Sequence, residues 1–405
     1  MQSLDEFQQQ LRSGQLKGAR QIKLYAGLEQ FPAELFELAD SLEILDLSNN
    51  QLSQLPEDLW RFHKLRILFA SNNPFAELPA VLGRCPQLEM LGFKACRIAH
   101  VPAQSLPPRL RWLILTDNQL GELPEELGQC TRLQKLMLSC NQLTALPDSL
   151  AHCRQLELLR MASNRFTQLP EVIWQLPQLA WLAMAGNPMT QKSELLEPVN
   201  RAQEAISYQN LQLHEELGQG ASGHIYRATL QGSHQPHQSI AVKVFKAEHT
   251  SDGTPQSELA AGLAAGQHPH LLTPLAAVTG HPQQQLAMAL PLLASELQVL
   301  AGPPSFDSCT RDVYAADTRF TPAAAEKLLH SVRSALAHLH DLGIVHGDLY
   351  AHNILWNPAT GDAVLSDLGA ACLTHELPQK QMAQLQQIEL RALRHLEEEI
   401  QARIY

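Results

Sequence analysis

Leucine recurs along the first half of the chain with a fixed beat. Leu42, Leu65, Leu88, Leu110, Leu133, Leu156 and Leu179 stand 23, 23, 22, 23, 23 and 23 residues apart. Each opens a version of L-x-x-L-x-L-x-x-N, as in Leu42, Leu45, Leu47 and Asn50. The Asn place is held by Asn50, Asn73, Cys96, Asn118, Asn141, Asn164 and Asn187, and an apolar-Pro pair follows at the same period, from Phe31-Pro32 to Leu169-Pro170. A unit this short cannot bury an apolar face alone, whereas stacked copies build a continuous core. The pattern predicts one short strand per unit with its leucines inward, and an Asn ladder where the chain leaves the strand. A weaker first copy with Ile22 and Leu24 in phase is expected to cap the array. Cys96 bonds less strongly than Asn, which predicts a locally looser third coil.

The strand positions between the leucines are expected on the concave face. One column reads Ile44, Ile67, Met90, Trp112, Lys135, Leu158 and Trp181; the other reads Asp46, Phe69, Gly92, Ile114, Met137, Arg160 and Ala183. Exposed positions this apolar point to a contact surface, with Phe69, Met90, Trp112, Ile114 and Trp181 as its anchors. Two occupants stay open: an external protein partner, or another part of the same chain. The array resembles the leucine-rich repeat family over about residues 19–190.

The pattern changes after Met189. Residues 190–209 are polar, with one helix-like stretch at Val199 to Ile206, and read as cap and linker. Gly218, Gly220 and Gly223 then form G-x-G-x-x-G, followed by residues that alternate as a strand does. A dinucleotide-binding version should open a helix instead. A glycine-rich hairpin lets backbone N–H groups approach a phosphate without Cβ interference. Twenty residues past Gly223, Lys243 stands in the apolar strand Ala241-Val242-Lys243-Val244-Phe245, a point charge for phosphates. Glu258 opens a helical stretch and is placed to pair with Lys243. Farther on come His346-Gly347-Asp348-Leu349-Tyr350-Ala351-His352-Asn353 and Ser366-Asp367-Leu368-Gly369.

These four motifs, in this order, resemble the protein-kinase signature set over residues 211 to about 372. The resemblance implies ATP and Mg²⁺ as cofactors, Asp348 as catalytic base, Asn353 and Asp367 as metal ligands, and Lys243–Glu258 as an ion pair. It also implies that Ile225 and Ala241 sandwich adenine, with a hinge near Met288 to Leu292. Three departures stand out. Gly347 replaces the Arg that would bind a phosphorylated activation loop, Tyr350 stands where a Ser/Thr kinase usually carries Lys, and no Ala-Pro-Glu follows Asp367. With 38 residues after Asp367, and a helix-like stretch at Ile388 to Leu393, the second lobe is expected to be minimal or truncated.

The expected fold is therefore an α/β leucine-rich repeat solenoid followed by an α+β, bilobal kinase-like domain with a shortened C-lobe. The expected boundaries are 1–18 for an N-terminal segment, 19–190 for repeats, 191–209 for cap and linker, and 210–405 for the kinase-like domain. The expected function is an ATP-dependent protein kinase, Ser/Thr favoured on base rate, whose repeats recruit a substrate or regulator. The alternatives are a small-molecule phosphotransferase with a repeat adaptor and a scaffold without catalysis.

Composition narrows the setting. At 405 residues, 45% hydrophobic and 18% charged, the chain can fill more than one core. Thirty basic against 41 acidic residues give a net charge of −11, with 5% aromatic content, which argues against nucleic acid as a partner. Residues 1–10 lack the apolar core of a secretory signal, and no run reaches the length of a membrane span. A cytoplasmic location is expected. The seven cysteines lack a C-x-x-C pair, and Cys85, Cys130 and Cys153 share one repeat phase, so they read as reduced packing thiols. His268 and His270 flank Pro269 and lack the spacing of a metal site.

Overall fold

The structure is a computed structural model that describes residues 4–220, 222–231, 238–246, 250 and 252–405; Ala221 of the glycine-rich run lies outside them. The described residues pack as two units. One holds the chain up to Arg160 together with Asn164–Leu179, and the other holds Met161–Ser163 together with Ala180–Tyr405.

In the first unit, seven three-residue strands from Gln21–Lys23 to Leu158–Arg160 lie side by side in chain order, all parallel. The register aligns the central leucines Leu45, Leu68, Leu91, Leu113, Leu136 and Leu159, each fully buried. The Asn ladder closes each coil. Asn118 donates to the carbonyls of Phe93 (2.8 Å) and Leu115 (3.0 Å), while its Oδ1 accepts from the Ile98 amide (3.0 Å). Cys96 makes longer contacts, its Sγ lying 3.5 Å from Ala70 O and 3.7 Å from Lys94 O. The residue before each of these positions sits in the left-handed region, at Asn49, Asn72, Ala95, Asp117 and Cys140.

The proline of the apolar-Pro pair serves as N-cap of a 3-10 helix at Pro32, Pro79, Pro102, Pro124, Pro147 and Pro170. Its fixed φ suits a helix entry, and its missing N–H costs nothing there. Cys85, Cys130 and Cys153 end three of these helices and are buried, which pushes their thiols up to about 12, 11 and 12. All seven cysteines are free.

The expected contact surface is smaller than the sequence suggested. Met90 is 2% exposed, its strand position lying between Ile67 and Trp112 in the ladder, so it packs rather than presents a surface. Phe69, Trp112 and Ile114 are half-buried. The Lys135 ammonium sits 4.3 Å over the Trp112 ring, and the Trp112 indole N–H donates to Met137 Sδ at 3.3 Å. Trp181 belongs to the second unit and is fully covered there, as described below.

Besides Met161–Ser163, the second unit holds Trp181–Ala183, a strand in repeat phase, followed by a cap helix, Gln191–Asn200. The helix starts before the stretch expected at Val199 to Ile206, and Ile206 instead joins a strand that pairs in parallel with Ala276–Thr279. In the sheet Ile206 packs against the apolar core that holds Leu211 and Val278, a burial that a short polar helix would not give it. Six strands form one sheet, in the order Leu211–Gln219, Gly223–Leu230, Gln238–Phe245, Ala287–Pro291, Ala276–Thr279, Ile206–Ser207. Ile240, Val242 and Val244 point to one face, with Ala228, Ala287 and Ala289. Ala241 and Phe245 point to the other, where Leu259 and Leu263 of the helix Pro255–Ala265 pack on them.

Below the sheet lie two long helices, Pro322–Asp341 and Gln379–Gln401, and two small sheets. Thr321 caps the first helix by accepting from the Ala324 amide, with Pro322 at its first position. The second buries Leu385, Ile388, Ala392, Leu393, Leu396 and Ile400 at helical spacing. The segment after Asp367 is tied down. Cys372–Leu373 pairs with Ile344–Val345, and the Thr374 hydroxyl donates to Gly343 O at 2.6 Å.

Candidate active site

A cleft of about 1270 Å³ runs beneath the glycine-rich hairpin. Its lining brings together Gly218, Gly220, Gly223, Ile225, Lys243, Glu258, Asn353 and Asp367, residues spread over 150 positions of sequence. The hairpin comes from pairing of Leu211–Gln219 with Gly223–Leu230, closed by the Gly220 amide donating to Gly223 O at 3.0 Å. Gly223 is needed at close quarters, since a Cβ there would sit 2.6 Å from Val244 O. Gly218 and Gly220 face open space, which leaves their backbone approachable.

Strand alternation aims Lys243 to the same face as Ala241 and Phe245, opposite Ile225 in the register. Its ammonium reaches Glu258 Oε1 at 2.5 Å, with both side chains buried. Glu258 lies in the first turn of its helix. Thr254 caps that helix by accepting from the Ser257 amide at 3.0 Å, and Pro255 opens it. Burial pushes the Glu258 carboxyl up to about 7; Lys243 pulls it back, and the nearby Asp367 pushes it further up. Ala241 is buried opposite Leu290 and beside Met288, and both of these line the cleft.

The lower wall comes from two loops. Asn353 donates from Nδ2 to both the Asp348 carbonyl (2.9 Å) and Asp348 Oδ2 (3.0 Å), which ties the ends of that loop together. The Ser366 amide and hydroxyl both donate to Asn353 O at 2.8 Å, joining this loop to the Asp367 turn. Asp367 itself has φ +61°, a left-handed conformation for a non-glycine residue, and its Oδ1 accepts from the Gly369 amide at 3.0 Å. Backbone strain of this kind concentrates where a side chain must be aimed. His352 also lines the cleft, anchored by the buried Asp312 through its amide (2.9 Å) and Nδ1 (2.8 Å).

Trp181 does not offer a surface to an external partner. Its indole stacks on Tyr350 with centroids 4.2 Å apart and planes 5° from parallel, and its Nε1–H donates to Leu349 O at 2.9 Å. Tyr350 is thereby held as a packing residue, and its ring also stacks near His352 with centroids 5.0 Å apart. Gly347 has φ +75°, and a Cβ there would lie 2.6 Å from Ala370 O and 2.7 Å from Leu182 O. An arginine has no room at this position. Its amide donates to the buried Glu389 at 2.7 Å.

Trp181 had no sequence signal for this contact, because it followed the repeat period like the strand positions before it. The helix start at Thr254-Pro255 carried a readable one.

Residues 211–387 match the family model of the protein kinase domain, and residues 26–75, 108–166 and 131–189 match that of the leucine rich repeat. Leucine-rich repeat and calponin homology domain-containing protein 1 of Homo sapiens is 33% identical over 116 residues, 28% of this chain and 16% of that protein. CBL-interacting protein kinase 22 of Oryza sativa subsp. japonica is 30% identical over 159 residues, 38% of this chain and 34% of that protein. Serine/threonine-protein kinase PITSLRE of Drosophila melanogaster is 26% identical over 151 residues, 37% of this chain and 15% of that protein. A solved leucine-rich repeat protein of Leptospira interrogans is 27% identical and covers 46% of this chain and 47% of that one, with a TM-score of 0.42. The matched stretches span between 15% and 34% of the length of these curated relatives. Among the described residues no helix is long and apolar enough to cross a membrane.

Proposed function

We propose that this chain, a leucine-rich repeat array joined to a protein kinase domain, transfers the terminal phosphate of ATP to a protein hydroxyl. The observation that carries the reading is the buried Lys243–Glu258 pair facing Asn353 and Asp367 across one cleft. Phosphoryl transfer demands positioning and charge stabilisation more than covalent chemistry, and it needs these groups in place at once.

The donor set fits the cofactor. Lys243 supplies a cation for phosphate oxygens, the hairpin supplies approachable backbone, and Asn353 and Asp367 supply the oxygen ligands that a hard divalent cation prefers. When bound, Mg²⁺ neutralises phosphate charge. Ile225, with Ala241 behind it and Met288 and Leu290 beside it, gives the apolar slot for a base. Asp348, its carboxylate oriented by Asn353, accepts the proton of the attacking hydroxyl. Glu258 keeps Lys243 from swinging away.

Serine or threonine is the favoured acceptor on base rate. The half-buried Phe69, Trp112 and Ile114 on the repeat strands are the remaining candidates to recruit a substrate or regulator. Seven free thiols, five of them buried, suit a cytoplasmic setting. Incubation of the full chain with radiolabelled ATP and Mg²⁺ tests the reading, first with mixed protein substrates and then with small-molecule acceptors. Labelled protein supports it. Label on small molecules alone moves the assignment to a small-molecule phosphotransferase, and ATP binding with no transfer makes the chain a scaffold.

A further inference from the structure

The catalytic groups are held from outside the cleft by two residues that lie outside the kinase motifs. Glu194, on the cap helix Gln191–Asn200, is 5% exposed. Its carboxylate accepts the Gly186 amide at 3.0 and 3.2 Å and the Ser257 hydroxyl at 2.7 Å. Ser257 is 1% exposed, touches the capping Thr254 hydroxyl at 2.7 Å, and directly precedes Glu258. One carboxylate thus binds the end of the repeat-phase strand segment to the first turn of the helix that aims Lys243. A carboxylate at a helix N-terminus is also favoured by the helix dipole. Beside it, Ser193 donates from its amide (2.7 Å) and hydroxyl (2.8 Å) to Glu376, just past the strand Cys372–Leu373.

Trp181 does the same for the other wall. Its hydrogen bond to Leu349 O and its stack on Tyr350 fix the two residues that follow Asp348. Arg311 lies 5.3 Å over the indole, and His395 stacks near it with centroids 5.5 Å apart. Ala183 packs with Ala162 and Ala370, the latter three residues past Asp367. The absence of a Cβ at Gly347 is what lets Leu182 O come this close. Neither Trp181 nor Glu194 lines the cleft.

We propose that Trp181 and Glu194 are positioning residues, through which the strand and cap helix at the end of the repeats hold the Asp348 loop and the Glu258 helix in catalytic register. The inference rests on the kinase reading of the cleft. It replaces an activation-loop phosphate clamped by an arginine with a permanent brace from the same chain. A kinase fragment beginning at residue 210 would lack that brace. Misplacing a catalytic group by about 1 Å can cost 10²-fold in rate, so a brace of this kind acts on turnover while leaving the nucleotide slot intact.

The test uses the full chain with Glu194→Ala, Glu194→Gln, Trp181→Ala and Trp181→Phe. Glu194→Ala should lower kcat by about tenfold or more with KM for ATP within about twofold, and Glu194→Gln, which keeps an acceptor oxygen for Ser257, should recover most of the loss. Trp181→Ala should lower kcat further, and Trp181→Phe, which keeps the stack and loses the N–H, should fall between. Amide hydrogen exchange is read in parallel, and should rise at residues 257–265 in Glu194→Ala and at residues 348–353 in the Trp181 variants. If Trp181→Ala does not fold, Trp181→Phe and the Glu194 pair decide the matter. Alanine variants with wild-type kcat and unchanged exchange would overturn the proposal. A wild-type chain that transfers no phosphate sinks the kinase reading instead, and the exchange measurement then decides on its own whether the brace exists.

Discussion

Gly347 offers the sharpest test of how tightly the His346–Asn353 loop is packed. Its φ of +75° is open to glycine, and a side chain there would meet two carbonyl oxygens, Ala370 O at 2.6 Å and Leu182 O at 2.7 Å. Both distances are shorter than real Cβ contacts, and both obstacles are backbone, so no rotamer change relieves them. Gly347→Ala therefore incurs a left-handed penalty of about 1–2 kcal/mol and an overpacking cost of about 1–3 kcal/mol. Together they destabilise the second unit by about 2–5 kcal/mol. At about 2–4 °C per kcal/mol for a unit of this size, its melting transition should fall by roughly 4–20 °C. Differential scanning calorimetry of the full chain reads this directly. The control is Gly218→Ala, where a Cβ meets nothing within 4 Å and the melt should stay where it is. Restoring the family's arginine by Gly347→Arg should be worse than alanine, not better. A Gly347→Ala protein that melts with the wild type would refute the close packing of the Trp181–Ala183 strand, the His346–Asn353 loop and the segment after Asp367.

Asp348→Ala should abolish transfer and leave ATP binding largely intact, whereas Asp367→Ala should also weaken Mg²⁺-dependent binding; calorimetric titration beside the transfer assay separates the two. Phosphatase treatment should leave activity unchanged, because residues 370–374 are buried and Gly347 offers no cation to a phosphate; silencing by phosphatase would contradict this. In the repeats, Leu113→Ala removes a fully buried side chain and should destabilise by about 2–5 kcal/mol, while Trp112→Ala, half-buried, should cost less stability and weaken partner capture. Burial first, and then Asp312, push the Glu399 carboxyl up from an ordinary 4.5 to about 7, with the Tyr314 hydroxyl opposing. The folded state thus holds a proton that the unfolded chain releases, so its stabilising contribution is lost as pH rises from about 4.5 to 7. Glu399→Gln should flatten that slope in urea midpoints measured across the range.

Local chemistry determined much of this protein. The 23-residue beat, the Asn ladder and the proline caps are short-range patterns, and each coil contacts only its neighbours, so a linear code suffices to specify them. The glycine hairpin, Lys243 in its strand, and the Asp348, Asn353 and Asp367 loops stood out in the sequence because each joins particular residue types to a particular spacing, and the structure brings the three glycines, Lys243, Asn353 and Asp367 to one cleft. Two matters were settled only by tertiary structure. Periodicity placed Met90 and Trp181 on a presented face, but it reports which side of a strand a residue occupies and says nothing of what lies against that side. Trp181 is covered by Tyr350, 169 residues away in sequence, and Glu194 finds Ser257 across 63. Contacts at such separations leave no spacing in the chain to read. Gly347 looked like a lost arginine in one dimension; in three it is the only residue that fits between two backbones.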